Sequence, residues 1–202
     1  MPGRSNALSE LARLWLEDRH GCLVRESIPV PVPYGQSDID MLALRLDSRT
    51  IKLPTGEAVG PRLIVETKDE HDWEPTGKAF AKSLVADLDL MGDGRFIPAK
   101  TKGVKFTMFR EEHFEVATRL FGTDDFDRLF IVHALDSDIR QRVTGRLRTI
   151  RTYWVTAPEL ICDLETWYRA HPRASGLRNS LVGDLVHLLW GFCGMRMPDS
   201  RQ

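Results

Sequence analysis

The chain has 202 residues, 42% apolar and 28% charged, with a formal charge of −1. That apolar content excludes a disordered chain, and no apolar run approaches the roughly 18 residues of a membrane span. Near-neutral charge excludes a generally basic surface, so any nucleic-acid contact must come from a local patch. The length suits one domain of roughly 135 residues with a helical extension, or one larger domain. The start, Met1-Pro2-Gly3-Arg4-Ser5, lacks the apolar stretch of a secretory signal. Cys22, Cys162 and Cys193 lie far apart, odd in number and without a CxxC pair. That pattern argues against a disulfide framework or a cysteine-rich zinc site and points to a reducing cytoplasm.

Ser5-Asn6 supplies a helix N-cap, Leu8, Leu11, Ala12, Trp15 and Leu16 follow at helical spacing, and Gly21 stops the run. A helix is predicted over residues 7–20. Residues 22–32 carry Leu23, Val24, Ile28, Val30 and Val32, and Pro29, Pro31 and Pro33 make them an extended segment at or leaving a sheet edge. Residues 38–46 and 62–68 read as strands, separated by turns at Ser48-Arg49 and Thr55-Gly56.

Pro75 and Thr76 open a helix whose Phe80, Leu84, Val85, Leu88 and Met91 share one side, ending at Gly92 and Gly94. A short strand over 104–109, a helix over 111–121 closed by Gly122, and a buried strand over 128–134 follow. From Ser137 onward the pattern is helical, broken by Pro158, Pro172 and Gly176. The expected class is α/β, a mixed sheet covered on both faces by helices. Residues 1–135 form its core, and residues 136–202 a C-terminal helical extension packed on it.

Two features carry chemistry: Asp40, at the start of an apolar strand, and Glu66-Thr67-Lys68, at the end of another. Period-two alternation puts Glu66 and Lys68 on one face and Thr67 on the other. If the two strands pair antiparallel about Leu53, Asp40 stands opposite Glu66. Two carboxylates that close repel each other, and a shared proton, a cation or rotation into water relieves the repulsion. A hard divalent ion suits them, and Lys68 supplies an ammonium beside it. An isolated E-x-K or strand-initial Asp is ordinarily structural. The conjunction of both with hairpin-length spacing and a preceding helix bearing Glu10 favours chemistry.

The segments 35–43 (GQSDIDMLA) and 63–68 (LIVETK), with the helix 9–16 (SELARLWL) followed by Gly21, resemble the PD-(D/E)XK nuclease superfamily, the restriction-endonuclease-like fold. The resemblance covers roughly residues 5–110. It implies an αβββαβ core, in the order read from helix 7–20 to strand 104–109. It also implies Asp40 and Glu66 as ligands of Mg²⁺ or Mn²⁺, with the Thr67 carbonyl as a further ligand. Lys68 becomes the catalytic lysine and Glu10 an accessory group. Proline does not directly precede the first aspartate, and Asp38, two residues before Asp40, is a candidate outer group. The implied activity is phosphodiester hydrolysis, with DNA as substrate, in a defence, mobile-element or repair context. The rivals are an inactive member that binds nucleic acid or a partner protein, and a structural protein in which these charges pair at a sheet edge.

Other residues stay open. His71 and Asp72 fit a solvated loop or a substrate contact, and Lys78 and Lys82 a solvent face or phosphate contacts. His133 and His187 read as hydrogen-bonded core histidines. Arg140, Arg142, Arg146, Arg148 and Arg151 crowd a segment with one acid, Asp138, which suits a phosphate-backbone footprint or a solvated face of ion pairs. The helix 181–192, apolar nearly all round, suits burial or an interface with a second copy or a partner. No G-x-S-x-G, Walker A or H-E-x-x-H pattern occurs.

Overall fold

The structure, a computed structural model, describes residues 7–32, 35–68, 78–133 and 137–171. Helix α1 (Ala7–Leu14) runs into a π-helical turn (Trp15–Arg19), and together they fill most of the predicted 7–20 span. Gly21 ends the helix in the left-handed conformation (φ 64°), closing on the Glu17 carbonyl at 2.9 Å. Strands β1 (Cys22–Val32) and β2 (Gly35–Arg45) form a long antiparallel pair. A small ribbon, β3 (Ile51–Lys52) with β4 (Ala58–Val59), leads into β5 (Arg62–Lys68). Then come α2 (Lys78–Met91), a 3-10 turn (Thr107–Phe109), α3 (Glu111–Phe121), β6 (Asp127–Val132), α4 (Ser137–Thr149), β7 (Thr152–Thr156) and α5 (Ala157–Ala170).

The five-stranded sheet has the order β1-β2-β5-β6-β7 and is mixed: β1, β2 and β5 are antiparallel neighbours, while β5, β6 and β7 run parallel. Strand β1 lies at the edge, where Pro29 and Pro31 are tolerated because one side of the strand needs no ladder donor. Leu63 and Val65 point into a core shared with α1 and α5, including Leu8, Leu11, Trp15 and Leu160. Ile64 points into the opposite core with Phe80, Leu84, Val116 and Val143 from α2, α3 and α4. All six residues of β6 are buried, as expected for a central strand covered on both faces.

Strand β2 turns over at Asp40. Met41 belongs to the first core and Ile39, two residues earlier, to the second. Regular alternation would put both on one face. The β1–β2 ladder passes from Glu26–Met41 to Ile28–Ile39 without a Ser27–Asp40 pair, and Ser27 sits in the left-handed region (φ 50°). The kink detaches Asp40 from the ladder at the sheet end where β5 delivers Glu66 and Lys68.

Three expectations are corrected. Residues 104–109 are not a strand, because the backbone N–H groups of Lys105 and Phe106 donate to the Asp87 carboxylate and that of Met108 to Glu66. The fourth strand of the five-stranded sheet in chain order, after the helix–strand–strand–strand–helix run, is β6. The chain is also not helical throughout after Ser137. Strand β7 (TYWVT) joins the sheet beside β6, between Arg151 in the left-handed region (φ 53°) and a Thr156–Glu159 capping box that opens α5. The sheet therefore does not stop at residue 135. His133 is exposed just past β6 rather than a core histidine. His187 and the helix at 181–192 lie outside the described residues, as do His71 and Asp72. Among the described residues no helix is long and apolar enough to cross a membrane.

Candidate active site

The β2–β5 register is the one the sequence implied. Met41 pairs with Val65, Leu42 with Ile64 and Ala43 with Leu63; the ladder stops there, and Asp40 and Glu66, one step further on each strand, line the same cleft. The next step would set Ile39 against Thr67, but the kinked strand does not follow. Instead the Thr67 N–H donates to Asp40 Oδ2 at 2.8 Å, and the Thr67 hydroxyl donates to the same oxygen at 3.2 Å. Backbone N–H and C=O groups of one strand residue face the same neighbour in an antiparallel pair. The Thr67 carbonyl is thus directed to the Asp40 side. Ser9 on α1 contacts the Thr67 hydroxyl at 2.8 Å.

Glu66 is buried, 3% exposed. Its Oε2 accepts the Met108 N–H at 3.1 Å, and its Oε1 meets Lys68 Nζ at 2.5 Å. Lys68 keeps a third of its side chain exposed, with Nζ 5.7 Å from the centre of the Phe106 ring. Asp38, Asp40, Glu66, Thr107, Met108 and His113 line a narrow cleft. His113 is fully buried, its Nε2 3.0 Å from the Ser37 hydroxyl and 3.2 Å from the Asp38 carbonyl. A carbonyl only accepts, so Nε2 carries the proton in that contact.

The charges are poorly compensated. Burial raises the Asp40 pKa, against the pull of the Thr67 N–H and of Lys68. Burial also raises that of Glu66; Lys68 opposes the rise and Asp40 adds to it. Burial works against the Lys68 ammonium, but Glu66, with smaller help from Asp40 and Asp38, outweighs it and the net shift is upward. Burial lowers the His113 pKa, keeping the ring neutral. One buried and one half-buried carboxylate share one lysine, an arrangement that one more cation would complete.

Among the described residues, no group of three or more His, Cys, Asp or Glu side chains is arranged to hold a metal ion. The set is smaller: two carboxylates and the Thr67 carbonyl. Both hydrogen bonds to Asp40 fall on Oδ2, and Oδ1 accepts none from a described residue. One or two carboxylates with waters suffice for Mg²⁺, so these residues fit a hard divalent ion.

Other predicted site residues sit elsewhere. Glu10 pairs with Arg13 at 2.7 Å, and it is Ser9, its neighbour, that reaches Thr67. Lys82 is exposed on α2. Arg140 pairs with Glu159, Arg146 with Asp89, Arg148 with Glu57, and Arg151 with Asp125 and Asp127. These arginines tie α4 and the turn after it to other elements rather than forming an open patch. The Arg142 side chain lies outside the description. Because Asp127 opens β6 while Lys68 pairs with Val132 at its far end, Arg151 marks the end of the sheet opposite the carboxylates. Arg140 lies at the carboxylate end, through Glu159 at the start of α5.

Ser9, Asp87 and His113 were not singled out from sequence. For the last two a signal existed. Asp87 falls within the buried stripe of Phe80, Leu84, Leu88 and Met91 on α2, and His113 within that of Val116 and Ala117 on α3. A polar residue on an apolar stripe must find a buried partner. No protein-family model matches this chain, and no curated protein or solved structure does so either.

Proposed function

We propose that this chain is a divalent-metal-dependent nuclease of the PD-(D/E)XK type that hydrolyses phosphodiester bonds, with DNA as its substrate. The observation carrying this reading is the meeting at the end of β5 of Asp40 and Glu66, which line one cleft, with Lys68 paired to Glu66. The element order α1, β1, β2, β5, α2, β6 is consistent with a restriction-endonuclease-like core.

Asp40, Glu66 and the Thr67 carbonyl are the groups to hold Mg²⁺ or Mn²⁺. When bound, such an ion polarises the phosphate and makes a water acidic enough to attack at neutral pH. Lys68 has a raised pKa and keeps its proton through the neutral range. It therefore acts as a fixed cation that orients the attacking water and offsets charge on the phosphate, rather than as a base. Met108 fixes the Glu66 carboxylate, and Phe106 supplies an apolar wall beside Lys68.

The test is incubation with plasmid, linear duplex, single-stranded DNA and RNA in Mn²⁺, Mg²⁺ or chelator, with Lys68→Ala as control. Cleavage that needs the metal and Lys68 is expected. Cleavage persisting in chelator, or in the variant, overturns the mechanism. A second reading, an inactive nucleic-acid-binding member, draws on the closed 2.5 Å Glu66–Lys68 pair and the narrow cleft. It predicts binding without cleavage under every condition.

A further inference from the structure

The Thr67 hydroxyl has one proton and gives it to Asp40 Oδ2. In the 2.8 Å contact between the Ser9 and Thr67 hydroxyls, either oxygen could by geometry be the donor. The two hydroxyls thus link α1 through β5 to the carboxylate on β2. Thr67 contributes twice, since its N–H reaches the same oxygen at 2.8 Å. With both donors on Oδ2, the carboxylate is pinned about one oxygen, and Oδ1 is presented without a hydrogen bond from a described residue.

Resting on the reading of Asp40 and Glu66 as ligands of a divalent ion, we propose that Ser9 and the Thr67 side chain are positioning residues that aim Asp40 Oδ1 at that ion. At the kink the ladder carries no Ser27–Asp40 pair, and the bonds from Thr67 hold the carboxylate. The linked hydroxyls set its direction, and each bond polarises the next. Helix α1 then acts on the site through Ser9, while Glu10, about 100° further round the helix, pairs with Arg13. Groups that orient a ligand from behind typically change metal affinity about 10–100-fold when removed.

The experiment measures Mn²⁺ affinity by electron paramagnetic resonance in the metal-free full chain and in Asp40→Asn, Thr67→Val, Thr67→Ser, Ser9→Ala and Ser9→Thr. The wild type is expected to bind one Mn²⁺ that Asp40→Asn abolishes. Thr67→Val should weaken binding about 10-fold or more, and Thr67→Ser should restore it. Ser9→Ala should weaken it by a smaller factor, restored in Ser9→Thr. Equal affinity in wild type, Thr67→Val and Ser9→Ala overturns the relay and leaves the site reading standing. Absence of any Asp40-dependent Mn²⁺ overturns both. Should Thr67→Val lose its native near-ultraviolet circular dichroism, the Ser9 pair decides: a weakening in Ser9→Ala without recovery in Ser9→Thr counts against positioning.

Discussion

The backbone N–H of Met108 donates to Glu66 at 3.1 Å, so a carboxylate on a central strand is held by a segment 42 residues further along the chain. That segment is itself anchored from behind. Asp87 on α2 is wholly buried and accepts the N–H groups of Lys105 and Phe106. Phe106 packs edge-to-face on Phe130 of β6, with ring centres 5.1 Å apart. Three elements thus converge to place one wall of the cleft.

Asp87→Ala should be destabilising, because it strands the buried Phe106 N–H, at a cost of about 1–3 kcal/mol, and frees the part-exposed Lys105 N–H to water. For a chain of this size each 1 kcal/mol lowers Tm by about 2–4 °C. Asp87→Asn, which keeps an acceptor oxygen, should lose less. Thermal unfolding of both variants checks this, and an unchanged Tm in Asp87→Ala would contradict the anchoring role.

Asp40→Asn should stabilise the metal-free protein at neutral pH. The Asp40 pKa is raised by burial, so the fold favours the protonated acid. A raised carboxylate contributes stability that is present below its unfolded pKa and lost as pH rises through its folded one. The amide is neutral at every pH and escapes that loss. Urea unfolding of both proteins from pH 4 to pH 8 should show the advantage of Asp40→Asn growing with pH. A variant that becomes relatively less stable toward pH 8 would contradict the electrostatics of the site.

His20 should drive acid unfolding of α1. It is 5% exposed, stacks edge-on against Trp15 at 4.5 Å, and burial, with Arg19, lowers its pKa to about 4. The unfolded chain binds the proton first, so stability is present above about 6.5 and is lost as pH falls toward about 4, by roughly 3 kcal/mol if the shift is fully expressed. Neighbouring Glu17 and Asp18, both raised by burial, respond with the opposite sign. The difference between wild type and His20→Phe therefore isolates the histidine. A variant whose stability falls as steeply as the wild type between pH 6.5 and pH 4 would contradict this.

Arg148→Ala and Arg151→Ala should leave the salt dependence of DNA binding unchanged, since those side chains serve ion pairs and Arg151 marks the far end of the sheet. Arg140→Ala, at the carboxylate end, should lower the slope of log K against log salt by about 1 if it reaches a phosphate. Fluorescence anisotropy across a salt series measures all three. A lowered slope in Arg148→Ala would restore the wider arginine footprint.

Parts of this architecture are written in local pattern and parts are not. Strand β5 was legible residue for residue, because RLIVETK is a continuous apolar run bounded by charge. Its pairing with β2 followed from spacing alone, and it sets Asp40 and Glu66 at one end of the sheet, where both line the cleft. Strand β7 was not legible, because five residues between arginine-rich and proline-started helical patterns carry little periodicity. Residues 104–109 looked like a strand because their side chains suit one, but their amides are claimed by Asp87 and Glu66, which only the tertiary fold brings near. Periodicity could not choose Ser9 over Glu10 either. That choice depends on the rotation of α1 against β5, which is set by Leu8, Leu11 and Trp15 in the core.

The most direct test is anomalous diffraction from crystals of the protein soaked in Mn²⁺. The account predicts a peak between the carboxylates of Asp40 and Glu66, close to the Thr67 carbonyl, and absent in Asp40→Asn. Crystals of the wild type with no peak there, or with one unchanged in the variant, would contradict it.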